Sequence, residues 1–205
     1  LIPALMLAWR EWCRPVASMR YFLIAPLAFP PLVAAFAWYH ILSPSGLISR
    51  IANKLGWIED MGQFPLLVND YYGLGILVVH VFLVFPIFSL VFIAQAKKEN
   101  LTSLHDVARS LGSNSRQFLF RIFIPVLLGK SDLLIRVYLV FLMGSYEVAM
   151  FLGRSSPRMF NLYITDKLGR FNLADIPVGH AMLVVYMLIT AVIAFGGLKR
   201  RFRLI

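Results

Sequence analysis

Long apolar stretches alternate along this chain with shorter polar ones, and the apolar lengths match the thickness of a bilayer. Residues 22–42 are nearly all apolar; as a helix they rise about 31 Å, against a hydrocarbon core of roughly 30 Å. Pro26, Pro30 and Pro31 lie inside this stretch and predict a kinked helix whose freed carbonyls must be satisfied by neighbouring groups. Residues 73–96 predict a second span, interrupted only by His80 and Pro86. A third is predicted over 125–150 and opened by Pro125, since proline at the start of a helix forfeits no backbone bond. The last is predicted over 181–198, closed by Lys199, Arg200, Arg201 and Arg203. Residues 43–72 are polar and turn-rich, with room for an amphipathic helix, and Trp57, Tyr71 and Tyr72 suit a membrane interface. Residues 153–179 are again polar. Residues 1–9 are apolar but too short to cross, and with no basic segment before them they make a poor signal peptide. They read as the end of an earlier span in a longer chain. The expected architecture is all-α: a polytopic helical bundle over 1–205, with four complete spans plus the end of an earlier one.

Composition agrees with lipid rather than water. Sixty per cent of the residues are apolar, 15% are charged and the mean hydropathy is +0.75, where soluble domains are nearer half apolar and a quarter charged. The net charge of +10 does not imply nucleic acid, because the basic residues flank apolar runs and are not interleaved with aromatics on a polar face. One cysteine, Cys13, leaves no intramolecular disulfide and no cysteine-based metal site. The basic residues fix an orientation instead. Segments 9–21, 97–121 and 199–205 hold three, five and four Lys and Arg, against two and four in the longer segments 43–72 and 153–180. The positive-inside rule therefore puts segment 97–121 in the cytoplasm.

That segment is longer than a turn between two spans requires. Residues 101–111 predict a short helix, capped by Thr102 or Ser103 and with Asp106 in its first turn. Leu104, Val107, Ala108 and Leu111 fall at i, i+3, i+4 and i+7, one apolar face. Gly112 opens the turn over 112–115, since glycine takes the left-handed conformation cheaply. Ser115 is placed to cap a second helix that carries Arg116 and Arg121 towards the membrane and enters it at Pro125.

The order Asp106, Val107, Ala108, three residues, Gly112, nine residues, Ile122, one residue, Ile124 and Pro125 resembles a known signature. It is similar to the cytoplasmic loop of bacterial binding-protein-dependent ABC transporter permeases, Glu-Ala-Ala, three residues, Gly, nine residues, Ile, any residue, Leu-Pro. Asp stands for Glu, Val for the first Ala and Ile for Leu. Residues 144–148 (Gly-Ser-Tyr-Glu-Val), 151–153 (Phe-Leu-Gly) and Pro157-Arg158 resemble the next span of the polyamine, iron and thiamine-like branch of the type I importers. The resemblance implies a permease subunit in the bacterial inner membrane, forming a solute path and without a cofactor. It also implies the partners: a separate ATPase on the 97–124 loop, a second permease, an extracytoplasmic solute-binding protein and membrane lipid. Leu104, Asp106, Val107, Ala108, Arg109, Leu111, Gly112, Ile122 and Pro125 would carry the ATPase coupling. Asp106, Arg109 and Arg116 would be its polar rim, and Trp57 and the 154–158 region would meet the binding protein.

Charged groups at membrane depth face a bundle interior or a wet path. Asp132 and Arg136 are spaced i, i+4 to pair, and Lys130 can snorkel to the surface. His80, Tyr146 and Glu147 are the candidate path residues. Glu147 beside Tyr146 tilts the path towards a cation, and the bland reading pairs Glu147 with Arg154 and makes His80 a helix–helix hydrogen-bonding residue. No enzyme is indicated: paired aspartate-rich motifs, His-Glu-x-x-His and a phosphate-binding loop ending in Gly-Lys-Ser/Thr are all absent from the sequence, so ATP hydrolysis belongs to a partner. An ATP-independent secondary transporter or channel fragment is the alternative, and it leaves the Gly112-to-Pro125 spacing unexplained.

Overall fold

Helix is the only regular secondary structure in the computed structural model of the chain, which describes residues 1–14, 17–169 and 172–196. The expected basic cluster at 199–203 and the end of the last expected span, 197–198, lie outside the described residues. The helices are α1 Ile2–Cys13, α2 Ala17–Ile24, α3 Pro31–Leu42, α4 Leu47–Lys54, α5 Leu74–Lys98 and α6 Leu101–Ser110, followed by α7 Ser115–Phe118, α8 Ile124–Met143, α9 Tyr146–Leu152, α10 Phe160–Gly169 and α11 Asp175–Phe195. Three stretches are long and apolar enough to cross a membrane: Pro31–Lys54, Leu74–Lys98 and Asp175–Phe195.

The expected span over 22–42 is divided by its own prolines. Helix α2 ends at Ile24 and a 3-10 turn follows over Ala25–Ala28. Phe29 and Pro30, each preceding a proline, take extended ψ values of 119° and 146°, because the following ring disfavours the α region. Proline then opens α3 at Pro31, where no helical bond is lost. The apolar crossing stretch continues from α3 into α4, the amphipathic helix for which 43–72 had room. The expected third span is also divided. Helix α8 stops at Met143, Gly144 and Ser145 break it, and α9 restarts at Tyr146. With Lys130, Asp132 and Arg136 along it, α8 is not among the three apolar stretches. The last one starts at Asp175 rather than 181, and α10 lies within the polar segment 153–179.

The chain forms two compact units, Leu1–Phe29 with Val81–Ile135, and Pro30–His80 with Arg136–Ile205; α5 and α8 supply residues to both. The first unit buries Ala4, Leu5, Ala8, Phe88, Phe92, Leu101, Phe118, Phe123 and Leu127. Pro86 sits inside α5, and near this break in the ladder Ser89 Oγ donates to the Phe85 carbonyl at 2.7 Å. In the second unit α3 packs on α9, where the small residues Ala34, Ala35 and Ala149 are buried and Phe36 meets Phe151 edge to face at 5.6 Å. Helix α10 packs on α11 at Gly179, where a Cβ would come within 2.8 Å of Leu168. Little of α11 is buried: only 6% of its most apolar window.

Candidate functional site

Segment 101–125 folds as two short helices whose junction is fixed at both ends by hydrogen bonds. Asn100 enters α6 in the left-handed region at φ 49°, without a side-chain cap; asparagine tolerates that conformation better than most residues. Thr102, Ser103 and Asp106 therefore lie within α6 rather than capping it or occupying an acidic first turn. The helix ends at Gly112, φ +83°, where Gly112 N–H donates to the Arg109 carbonyl at 3.0 Å and Ser113 N–H to the Ala108 carbonyl at 2.9 Å. This double bond pattern is a Schellman motif, which requires the left-handed residue supplied by glycine. The next cap is Asn114, not Ser115. Gln117 N–H donates to Asn114 Oδ1 at 2.8 Å and Asn114 N–H to Gln117 Oε1 at 3.1 Å, a reciprocal capping box.

Pro125 does not open a new helix. A π-helical turn, Leu119–Phe123, joins α7 to α8, and Pro125 is the second residue of α8. The wider turn gives room where the proline ring would otherwise press on the carbonyl four residues back. It has a second consequence. Bonds of i to i+5 bring Phe118 and Phe123 to one side of the chain, and both are fully buried against α1. Trp9 and Trp12 stand 6.2 and 5.7 Å from Phe118, and 5.0 and 5.8 Å from Phe123. His105 of α6 meets Phe118 at 4.9 Å and Trp12 at 5.2 Å, edge to face in both cases. Offset and edge-to-face geometries are the favourable ones for such rings.

Helix α6 is thus held from behind, and its front is bare. Ala108 and Leu101 face the core, so the four-residue apolar face read from the sequence is split. Leu104, Val107 and Leu111 are exposed, at 43%, 58% and 83%. Asp106, Arg109, Gly112, Arg116 and Pro125 are exposed beside them and Ile122 is half-buried. Asp106 stands 3.8 Å from His105. Lys130 does not simply reach for the surface: it pairs with Glu99 at 3.0 Å.

The path candidates of the second unit are divided between two cavities. His80 donates Nδ1–H to, and is positioned by, the Ile76 carbonyl at 2.8 Å. Its Nε2 has no protein partner, and it lines a cavity of about 340 Å³ that includes Tyr186. Tyr146 lines a larger one of about 620 Å³, and Glu147 lines neither. The Glu147–Arg154 pair does not form; Arg154 instead lies over the Tyr71 ring, 5.6 Å from its centre. Arg158 pairs with Asp166. Composition could not have shown these partners, because Tyr71 and Arg154 are far apart in sequence and belong to different loops. Trp57 is exposed, as an interface residue would be.

Comparison with known protein families and with characterised proteins finds no match. The molecule itself supports a coarse conclusion: the chain is all-helical among its described residues, and three of its helical stretches are long and apolar enough to cross a membrane, as in a membrane protein.

Proposed function

We propose that the chain is the transmembrane permease subunit of a bacterial ABC importer, multi-pass in the inner membrane, with α6 docking on a separate ATPase. The observation that carries this reading is the junction around Gly112. A Schellman motif, a capping box and an aromatic cluster brace a ten-residue helix whose outward stripe, Leu104, Val107 and Leu111, is exposed among the described residues. A rigid lever with an apolar tip suits a cleft that moves on ATP binding. Because α6, α7, the π turn and α8 follow without a loop after 114, displacement of α6 is passed directly to α8. Lipid contact alone would ask for the apolar stripe but not for the bracing. In this reading α8 with α9 is a fourth, interrupted crossing, its Lys130 charge balanced by Glu99. The exposed apolar surface of α11 faces lipid and the second permease. Trp57 and the 154–158 region face the binding protein.

An ATP-independent transporter fragment remains the competing class, favoured by one feature, the break at Gly144 and Ser145. Photocrosslinking separates the two. A benzoylphenylalanine placed at Leu111 in native-host membranes should capture an ATPase of the cassette type, and the same group at the buried Leu127 should not. Capture of lipid alone at Leu111 would remove the ATPase reading.

A further inference from the structure

The charges around the larger cavity of the second unit do not suit the cation that Glu147 suggests. Its walls are aromatic: Phe36 and Tyr39 from α3, Tyr146 and Phe151 from α9. The charged side chains lining it are Arg154, Arg158 and Asp166. Asp166 is engaged by Arg158. Among the described residues no carboxylate lies within ion-pair distance of Arg154; its guanidinium lies over the Tyr71 ring. Another acid, Asp70, lines a smaller cavity of about 130 Å³ with Arg154. Its Oδ2 accepts from Tyr72 N–H at 3.1 Å and Leu74 N–H at 2.9 Å, and its Oδ1 is buried without a hydrogen-bond partner. The charged side chains on the lining of the larger cavity therefore sum to one excess positive charge.

We infer that this cavity binds an organic anion, a carboxylate or phosphoryl head held by Arg154 with an apolar or planar body against the aromatic walls. Guanidinium matches both heads in two-point geometry, and Arg154 Cζ lies 5.6 Å from the centre of the Tyr71 ring, within cation–π range. A volume of about 620 Å³ is ample for a small solute, since ligand cavities run roughly 300–1,000 Å³. Asn69, Tyr39 and Ser155 on the lining add neutral donors for the head. The head can belong to a free solute or to an anionic lipid. That the bound anion is the transported solute rests on the permease reading above; the anion site does not.

The test uses the full chain in phosphatidylcholine nanodiscs and two probes of like shape and opposite charge, phenyl phosphate and benzylamine. Phenyl phosphate should bind and benzylamine should not. Arg154→Gln should weaken phenyl phosphate binding about tenfold or more, the worth of one charge-assisted pair, and Arg154→Lys should weaken it less. Lys54→Gln removes a charge on α4 outside the cavity and should change nothing. Tighter binding of benzylamine, or equal binding by Arg154→Gln and the parent at matched thermal stability, overturns the inference. Loss of phenyl phosphate binding on adding phosphatidylglycerol to the discs assigns the site to a lipid head; binding that survives assigns it to a solute. Gly112→Pro lies in the other unit and should leave binding intact, so a failed permease reading and a failed anion site give different results.

Discussion

Phe118→Ala tests whether the aromatic cluster is what holds α6 in place. Phe118 is 1% exposed and touches three rings, Trp9, Trp12 and His105, at 6.2, 5.7 and 4.9 Å. Truncating a buried phenylalanine costs about 3–5 kcal/mol, the lost transfer term plus the cavity left behind. At about 2–4 °C per kcal/mol for a chain of this size, the melting temperature should fall by roughly 6–20 °C. Phe118→Leu keeps most of the volume and loses the ring geometry, so it should cost about 1–2 kcal/mol, near one or two ring pairs. Intrinsic fluorescence suits the assay: the chain has four tryptophans, two of them in the cluster, while Trp57 is exposed at 77%. The variant should also red-shift the emission, as Trp9 and Trp12 meet water. A double-mutant cycle with Trp12→Leu should return a coupling of about 0.5–1.5 kcal/mol. A melting temperature within about 2 °C of the parent, equivalent to less than about 1 kcal/mol, with unshifted emission, would refute the anchoring of α6.

Three further substitutions probe other joints. Gly75→Ala would set a Cβ 2.2 Å from the Leu67 carbonyl; backbone cannot swing aside as a side chain can, so the loss should reach about 3 kcal/mol or more, read as lowered melting temperature and yield. Asn114→Ala removes the Oδ1 acceptor of Gln117 N–H while keeping the backbone N–H that donates to Gln117 Oε1, and should cost about 1 kcal/mol, seen as faster amide exchange over 115–118, with Asn114→Asp keeping most of the protection. Lys130→Met breaks the pair with Glu99, but both groups are partly exposed, 50% and 23%, so screening should hold the change in thermal stability under about 1 kcal/mol. A larger loss would mean that the pair lies in a far drier place.

What could be read in the chain depended on whether the signal was local. Helix α5 was legible within two residues because only His80 and Pro86 interrupt its apolar run, and a buried proline inside it does not end it. Gly112 was legible as a turn because one residue type serves that backbone conformation. The division of 22–42 was not foreseen as a break, although three prolines marked it: a kinked and a broken helix differ in whether consecutive residues before proline leave the α region, and Phe29 and Pro30 both do. Asn114 was passed over for Ser115 as a cap, yet Gln117 three residues on was the capping-box signal for it. The aromatic cluster is a different matter. Trp9 and Trp12 sit three apart, on one face of α1, but Phe118 and Phe123 are five apart and share a face only in a π turn. Their meeting is a tertiary fact. So is the union of Arg154, Arg158 and Tyr146 on one cavity, which no spacing in the sequence encodes.

The most direct test of the central claim is solute-stimulated ATP hydrolysis in a complex reconstituted with its ATPase, comparing the parent with Gly112→Pro and Asp106→Lys. Proline cannot take a φ of +83° and removes the N–H that closes α6 on Arg109, while Asp106 is exposed, so Asp106→Lys reverses a surface charge without disturbing the core. The account predicts normal membrane insertion in both variants, with coupled hydrolysis and uptake lost in the first and weakened in the second. Unchanged stimulation in both would contradict it and put the ATP-independent transporter first.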